Sequence, residues 1–442
     1  MSAPLRIHHL QFPWGMERTD NIGATVIVAA LTAHGHDVSE MPASLYAVDN
    51  CDLAIVSIPS TYQMLDYLRV ARIERLDRRS GIILIGGFGV QNPMLIREFF
   101  DFAYFGRAHD AIDGVARELV SERATSSPHV LSAEEFGPVT IDQAPLTDRY
   151  MREEFTGCPL KCHYTYARRY QQRPGRPRQY LQTLLSDSAP EVMWSEIRAM
   201  ERKPGRLRAA IDGFSERLRF AYGKRIRDDE ITAAIEHLSG LGRATSSVGQ
   251  YRLDGDLDDV SDRGACVVMA YNIGHFPGET SDDWRALDNA LLAAEPRGGH
   301  VVVIIHTTPF RPSLGTPMQW EGVTLWPEWS SMREREIRSG DITAKYSYRL
   351  EGAHTHLTSV IIERLRYHDE PIVGRLLSPG AGSSAIRAER LLDAGGGDYV
   401  AELDIGLDPP APWLSSYIDI HRVRKIARKM RRRRAAWSLR AG

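Results

Sequence analysis

Short, continuously apolar runs that alternate with helical stretches constrain the fold of the N-terminal region more than any other feature. "CDLAIVSI" and "GIILIGG" have the composition of strands that are buried on both faces, as in a parallel sheet. "YQMLDYLRVARIERLDRRS" lies between them with helical periodicity, "LRIHHL" is predicted as an earlier strand and "FDFAYFG" as a later one. This alternation predicts an α/β fold that begins with a doubly wound parallel sheet over residues 1–122.

A second strand–helix series follows a Ser/Thr/Pro-rich linker at residues 123–148. The strands predicted in "RLRAAIDGFSE", "ACVVMAYNIG" and "GGHVVVIIHTTPF" favour a partial (β/α) TIM-type barrel over residues 149–317. Its loops "DGFSE", "GHFPGET" and "HTTPFRP" fall at the carboxyl ends of strands, where such barrels carry their active sites. Residues 318–420 are interpreted as a C-terminal extension and residues 421–442 as a basic tail.

The composition excludes several classes of protein. The 442 residues are 43% apolar and 25% charged, and the formal net charge is −2, as in an ordinary globular protein of more than one domain. Four cysteines do not make a disulfide framework, the N-terminus has no signal-peptide pattern and no run of residues is apolar enough to span a membrane. A reducing, cytoplasmic setting is therefore expected, where paired cysteines are more often metal ligands or redox groups.

Two of the cysteines, Cys158 and Cys162, are four residues apart in "TGCPLKCHYTYARR", directly after a predicted strand. Three further stretches accompany this loop in order: "ILIGGFGVQNPMLIREFFDFAYFGRAHDAI" before it, and "AIDGFSERLRFAYGKRIRDDEITAAIEHL" and "YNIGHFPGETSDDW" after it. Together the four stretches resemble the radical S-adenosylmethionine (SAM) superfamily, specifically its members with an N-terminal cobalamin-binding-like domain of the Rossmann type.

The resemblance implies a [4Fe–4S] cluster that binds S-adenosylmethionine and cleaves it to a radical. By position, Cys158 and Cys162 match cluster ligands, and Tyr164 matches an aromatic residue that packs near the adenine. Ser215 and Glu216 stand where polar contacts to the bound nucleoside are often made. Arg217 and Lys224 are weaker candidates for binding the carboxylate of S-adenosylmethionine.

The sequence also departs from the family pattern. Thr165 occupies the position of the third cluster cysteine, and a neutral hydroxyl is a poor ligand for iron. The loop could be naturally degenerate, could carry an introduced change, or could accept two thiolates and a non-cysteine ligand. Cys266 is expected at the far end of a barrel strand, and Cys51 belongs to the first domain. Cobalamin is compatible with the resemblance, but no Asp-x-His-x-x-Gly motif supplies a histidine for its cobalt, and the Gly-Gly-Glu signature is also absent.

Other candidate residues have structural interpretations that compete with functional ones. Asp212 and Glu216 could form an acid/base pair, although Glu216 is more readily explained as a cap of the next helix. His275 and His306 could face a substrate, although lone histidines at such positions are more often structural. The Trp-rich segment 320–329 could stack on a base, but core packing or a lid is favoured. "GGFGVQNP" is either a phosphate-binding turn or simply a tight turn.

The basic tail carries ten Lys or Arg residues and no acid over residues 421–442. It could bind a nucleic acid or another anionic partner, dock on the protein as an amphipathic helix, or remain a solvated end helix. Two main functions therefore compete: a radical SAM enzyme that methylates or rearranges an unreactive carbon, and a catalytically degenerate protein of that fold that serves as a binding module. A zinc site shared between two copies of Cys158 and Cys162 is a third interpretation.

Overall fold

The structure is a computed structural model, and the segment with the cysteine loop lies outside its described residues. It describes residues 3–12, 22–87, 89–90, 92–105, 111–127, 130–133, 182–184, 190–201, 208–221, 225–240, 266–297, 301–314, 316–325, 336–348, 352–366, 370–406 and 420–441.

The first sheet has six strands in the order β2-β1-β3-β4-β5-β6. Five of them are parallel and β6 is antiparallel to β5. The order of the strands reverses between β1 and β3, which is the switch point of a doubly wound sheet. The predicted α/β class is therefore confirmed. The strands are β1 (Arg6–Gln11), β2 (Asp37–Pro42), β3 (Leu53–Ser57), β4 (Ile83–Gly86), β5 (Phe102–Tyr104) and β6 (Val130–Ser132), and the helices are α1 (Ile22–Ala33), α2 (Leu45–Asp49), α3 (Thr61–Ile73) and α4 (Ile112–Glu122).

Both faces of this sheet are buried, which explains the continuous apolar runs of its strands. Along β3, Leu53 and Ile55 pack against α1 and α4 on one face. Ala54 and Val56 point to the other face and join a larger core that includes α3. A strand with apolar neighbours on both sides cannot alternate apolar and polar residues.

The second sheet has the order β11-β12-β10-β9-β8-β7. From β7 to β10, and then to β12, each strand lies beside its predecessor and parallel to it, the order of a (β/α) barrel unit; β11 is antiparallel. Closure into a partial barrel stays a prediction. The strands are β7 (Gln182–Leu184), β8 (Arg208–Asp212), β9 (Cys266–Gly274), β10 (Val301–Pro309), β11 (Glu336–Ser339) and β12 (Ile342–Tyr348), and the helices are α5 (Pro190–Glu201), α6 (Glu216–Ala221), α7 (Asp228–Gly240) and α8 (Ser281–Leu292).

Residues 318–420, the predicted extension, add strands to the second sheet and helices to the core that covers the first sheet. Strands β11 and β12 belong to the second sheet, so that sheet continues beyond residue 317. Four later helices follow, and apolar residues of the first three join the core on the second face of the first sheet. These helices are α9 (Ala353–Arg364), α10 (Ile372–Leu377), α11 (Ser384–Leu391) and α12 (Gly397–Val400).

The glycine-rich loop after β4 is closely packed against protein backbone. Gly87 has a φ of +110°, and a Cβ there would lie 2.5 Å from the carbonyl oxygen of Ile58. Asn92, at the end of the loop, donates from Nδ2 to the carbonyl oxygen of Leu365 over 2.7 Å, just after α9 ends. These contacts favour the tight-turn interpretation of "GGFGVQNP", because the glycine is needed to fit protein rather than a phosphate.

The basic tail forms one helix, α13 (Ile420–Ala441), and it docks on the protein. Its apolar side buries Ile420 and Ala427 against Trp320 and Ile405. Trp320 is completely buried, so it has the core-packing role that the sequence favoured. No helix in the described part of the chain has the length and apolar character needed to cross a membrane.

Candidate active site

The carboxyl ends of β8 and β9 are adjacent in the second sheet and carry most of the polar residues of the candidate site. β8 ends at Asp212, whose register partner on β9 is Tyr271. The chain leaves β8 through a three-residue turn into α6, and it leaves β9 through the "HFPGET" segment into α8. The two loops meet because parallel neighbouring strands end at the same edge of the sheet.

Asp283 is the centre of this meeting point. Its Oδ1 accepts hydrogen bonds from Ser215 Oγ over 2.7 Å and from Arg217 Nε over 2.8 Å. Arg217 also donates through Nη2 to Asp283 Oδ2 and, over 2.8 Å, to the carbonyl oxygen of Gly278. The backbone N–H and the hydroxyl of Thr280 donate to Oδ2 over 2.8 and 3.0 Å, so Asp283 also caps the first turn of α8.

These contacts set the charge of Asp283. Burial of the carboxyl group opposes ionisation, but the hydrogen bonds from Arg217, Ser215 and the Thr280 backbone outweigh burial and lower its pKa. Asp283 is only 5% exposed. It is therefore an ionised carboxylate that holds the β8 and β9 loops together through two side chains that the sequence had placed in the site.

Glu279 has the opposite perturbation four residues earlier. Burial raises the pKa of its carboxyl group to about 8; backbone hydrogen bonds partly offset this, and the nearby negative charge of Asp283 adds to it. The backbone N–H of Phe276 donates a long hydrogen bond, 3.4 Å, to its Oε2. One protonated and one ionised carboxyl group in one loop is an arrangement typical of acid/base sites.

An apolar cluster borders these polar residues. Phe214, Phe276 and Phe310 follow β8, β9 and β10, and their rings stack edge to face, with centroids 5.4 Å and 5.1 Å apart. Leu218 and Met318 complete the buried cluster, and Met430 of α13 packs against it. The carboxyl edge thus combines a water-poor apolar surface with a few placed polar groups, which is typical of small-molecule sites.

Glu216 has the capping role that the sequence favoured for it. Its Oε2 accepts a 2.8 Å hydrogen bond from the N–H of Asp228, the first residue of α7. Asp228 is also bound by Arg219, a fully buried residue that the sequence did not single out. Arg219 also donates to the carbonyl oxygens of Phe214 and Ile226 over 2.6 and 2.9 Å, and so fixes the chain between β8 and α7.

Several predicted residues fall outside these observations. Cys158, Cys162, Tyr164, Thr165 and Lys224 lie outside the described residues. Asp212 and His306 lie on described strands, but their side chains are not described. His275 follows β9 directly and has a φ of +55°, the left-handed conformation, so its backbone shapes the turn that carries Glu279.

The other two cysteines lie away from this edge. Cys51 donates its thiol to the carbonyl oxygen of Val48, and burial raises its pKa to about 11, so it is not a thiolate ligand. Cys266 begins β9, whereas the site follows Gly274 at the other end, roughly 26 Å away along an extended strand. The structure thus agrees with the exclusion of Cys266. In the described part of the chain, no group of three His, Cys, Asp or Glu residues is arranged to hold a metal ion.

Asp283 and Glu279 are the site residues that sequence reasoning missed. Both lie in "GHFPGETSDDW", a segment whose resemblance to the superfamily assigns no role to its acids. The spacing Thr280-x-x-Asp283 is a helix-start signature and could have indicated the cap. Nothing local could have indicated the pKa of Glu279, because it depends on burial by residues distant in sequence.

Comparison with known proteins gives only distant similarities. No protein-family model matches the chain, and no curated protein matches it. Solved structures that resemble it include the radical S-adenosylmethionine methyltransferase TsrM from Kitasatospora setae with cobalamin and a [4Fe–4S] cluster bound, at 13% identity and a TM-score of 0.47 over 97% of this chain and 99% of that one. The same enzyme with a tryptophan substrate and a SAM analogue bound gives 12% identity and a TM-score of 0.45, over 71% of this chain and 74% of that one.

A third similar structure is OxsB, a cobalamin-dependent S-adenosylmethionine radical enzyme, at 10% identity and a TM-score of 0.28, covering 84% of this chain and 48% of that one. At these identities and TM-scores the similarities carry no argument about activity or site residues.

Proposed function

We propose that this protein is a radical SAM-type enzyme that binds S-adenosylmethionine at the carboxyl edge of its second sheet and modifies an unreactive carbon, by methylation or rearrangement. The observation that supports the proposal is the convergence of Ser215, Arg217 and Glu279 around Asp283. These residues come from the two stretches after the cysteine loop that resemble the superfamily. A reducing, cytoplasmic location remains part of the proposal.

The residues at this edge fit S-adenosylmethionine in kind. Arg217 has a side chain that is 34% exposed and offers a cation for the carboxylate of that ligand. The buried phenylalanine cluster of Phe214, Phe276 and Phe310 keeps the surroundings of these polar groups apolar. Glu279, protonated at neutral pH, can donate a proton and then accept one. Bound S-adenosylmethionine would supply the methyl or adenosyl group, while these residues orient it and exclude water.

The donor set for a three-thiolate cluster is incomplete in this chain. Cys158 and Cys162 supply two thiols, Thr165 stands at the third position and the other two cysteines are excluded by their positions. A third ligand would therefore have to be something other than a cysteine of this chain. The residues present therefore do not fit a complete three-thiolate cluster. Cobalamin has no further support here, because the first domain lacks the motif for an axial histidine.

Anaerobic reconstitution of the full chain with iron and sulfide tests the proposal. Because the third thiolate is missing, we expect the natural chain to bind less iron than Thr165→Cys and, with dithionite as the electron donor, to release less 5′-deoxyadenosine from S-adenosylmethionine. Cys158→Ser should lose both. If neither appears in the natural sequence but both appear in Thr165→Cys, the fold and nucleoside site are as proposed and the loop is degenerate. If neither chain binds iron or S-adenosylmethionine, the enzymatic proposal is refuted. Zinc at half an equivalent per chain would favour the shared zinc site instead.

The exposed side of α13 favours a second candidate function, a binding module for a nucleic acid. Arg431 and Arg434 face inward and pair with Glu321 and Glu402. Exposed cations follow the opposite side of the helix at Arg422, Lys425, Arg428, Lys429 and Arg432. Cations repeated along one rigid helix suit the regularly spaced phosphates of a nucleic acid strand.

A charge-reversal variant separates the two functions. Lys425→Glu combined with Lys429→Glu should weaken binding of a single-stranded oligonucleotide and reduce the salt dependence of that binding by about two phosphate contacts. The variant keeps the inward pairs of Arg431 and Arg434, so α13 should stay docked. If the natural chain and the variant bind the oligonucleotide equally well, the exposed side of α13 is not a nucleic acid binding surface. If the variant loses binding to vesicles of anionic lipid but keeps its binding to the oligonucleotide, the surface binds a membrane instead.

A further inference from the structure

The helices that cover the first sheet contain a small cavity lined by three arginines. Its volume is about 180 Å³, and Arg375 near the end of α10 and Arg387 and Arg390 on α11 line it together with the loop 378–380. No carboxylate is among its lining residues. The cavity is far larger than the ~15 Å³ that a single water needs, so a group of several atoms fits inside it.

The described residues provide no ion pair for the positive charge around this cavity. Among the described residues, none of the three arginines forms an ion pair, although Arg390 donates from Nη1 to the carbonyl oxygen of Ala381 over 2.5 Å. Arg387 Nε is buried and has no hydrogen-bond partner there. The neighbourhood is cationic too, because burial and then the charges of Arg387 and Arg69 lower the pKa of His354 to about 4.

The loop between α10 and α11 adds to this character. It reads "SPGAGS" (378–383), and Gly380 and Gly382 have φ values of +76° and +128° that other residues rarely adopt. A Cβ on Gly380 would lie 2.7 Å from Arg390 Nη1, so the guanidinium of Arg390 lies directly against this glycine. The hydroxyl of Ser383 caps α11 by accepting from the N–H of Ile386. The positive end of α11 therefore lies next to the arginines.

We propose that the cavity lined by Arg375, Arg387 and Arg390 is a binding site for a phosphoryl oxyanion. Arg375 and Arg390 are exposed and Arg387 is half-buried, and the three line one cavity without a carboxylate. Their like charges repel one another, and a bound oxyanion would offset that repulsion. Guanidinium groups match phosphate oxygens with paired hydrogen bonds, and buried N–H donors such as Arg387 Nε gain an acceptor. None of these residues belongs to the candidate active site, so the proposal is independent of the enzymatic one.

Titration of the full chain with inorganic phosphate tests the site, with chloride at equal ionic strength as the salt control. We expect saturable heat of binding and a rise in Tm with phosphate that chloride does not reproduce. Arg387→Gln should raise the dissociation constant for phosphate by about tenfold or more, because a hydrogen bond to a charged group is lost. The matched control is Arg366→Gln, an exposed arginine in the same segment that does not line the cavity, and it should bind phosphate as the natural chain does.

The outcomes separate a ligand site from a purely structural role. If Arg387 only stabilises the fold, Arg387→Gln lowers the Tm without phosphate and leaves the phosphate-dependent shift unchanged, which contradicts the proposal. If the natural chain responds equally to phosphate and chloride, the proposal is also wrong. Glycerol 3-phosphate, an ester without a nucleoside that could bind at the candidate active site, distinguishes the source of the oxyanion in a parallel titration: tighter binding than inorganic phosphate indicates a phosphate ester, and equal binding indicates the free ion.

Discussion

Replacing Glu279 by glutamine provides the most direct test of the acid/base arrangement. The pKa of Glu279 is raised to about 8 in the folded protein, from an ordinary value of 4.5. The folded protein thus keeps a proton that the unfolded chain releases as the pH rises above that ordinary value. A group with a raised folded pKa contributes stability that is fully present below the unfolded pKa and is lost as the pH approaches the folded pKa.

The size of the effect follows from this linkage. Each pH unit between the two pKa values costs about 1.4 kcal/mol of the free energy of unfolding, so the natural chain should lose about 2 kcal/mol between about pH 5.5 and about pH 7 through this residue. Glutamine resembles the protonated acid in shape and does not titrate. Between about pH 5.5 and about pH 7, the free energy of unfolding of the natural chain should therefore fall by about 2 kcal/mol relative to that of Glu279→Gln.

Urea unfolding followed by tryptophan fluorescence, repeated across this pH range, measures the difference. Glu295→Gln provides the matched control, since Glu295 is an exposed carboxylate just beyond the end of α8. Only Glu279→Gln should change its stability relative to the natural chain as the pH rises. If the stabilities of Glu279→Gln and the natural chain run parallel, Glu279 is ionised at neutral pH and cannot be the proton donor that we propose.

Three further substitutions test the contacts around the site. Glu321→Gln removes the buried carboxylate that binds Arg434, so the free energy of unfolding in urea should fall by about 3 kcal/mol and α13 should become sensitive to proteolysis. Glu402→Gln is the control: Glu402 also binds Arg434 but is half-exposed, so its replacement should cost less. Gly278→Ala places a Cβ 2.9 Å from the Arg434 side chain at a φ of +87°, so the free energy of unfolding should fall by about 1–3 kcal/mol; an unchanged value would contradict the described turn. Arg219→Met leaves buried carbonyl oxygens without donors, and we expect a loss of about 3 kcal/mol or more, measured by urea unfolding; a neutral effect would show that water replaces the guanidinium.

The sequence predicted the architecture because its signals are local. The apolar runs of β3 and β4 are continuous since both faces of their sheet are covered, and that pattern is visible in a single stretch of sequence. The cap formed by Glu216 was predictable for a similar reason, because its partner Asp228 is only twelve residues away. The number of strands and the reach of the second sheet past residue 317 depend on pairing between distant segments, which one sequence does not reveal.

The candidate site was predicted only in part, because its chemistry arises from contacts between loops. Ser215 and Arg217 were selected by resemblance, but their common partner Asp283 lies 66 or more residues further along the chain. That separation is invisible to motif reasoning, which treats each stretch alone. The raised pKa of Glu279 is less accessible still, since burial that only the folded protein creates is its main cause.

The basic tail shows how tertiary contacts divide the function of a charged segment. As sequence, its ten cations are equivalent, and both docking and anion binding were open interpretations. In the structure, Arg431 and Arg434 serve docking, because Glu321 is 3% exposed and would otherwise be a buried, unpaired carboxylate. The docking pairs fix which side of α13 faces outward, and the exposed cations, Arg422, Lys425, Arg428, Lys429 and Arg432, lie along that side. Docking and anion binding are thus compatible, since internal pairing of two arginines orients the others toward a partner.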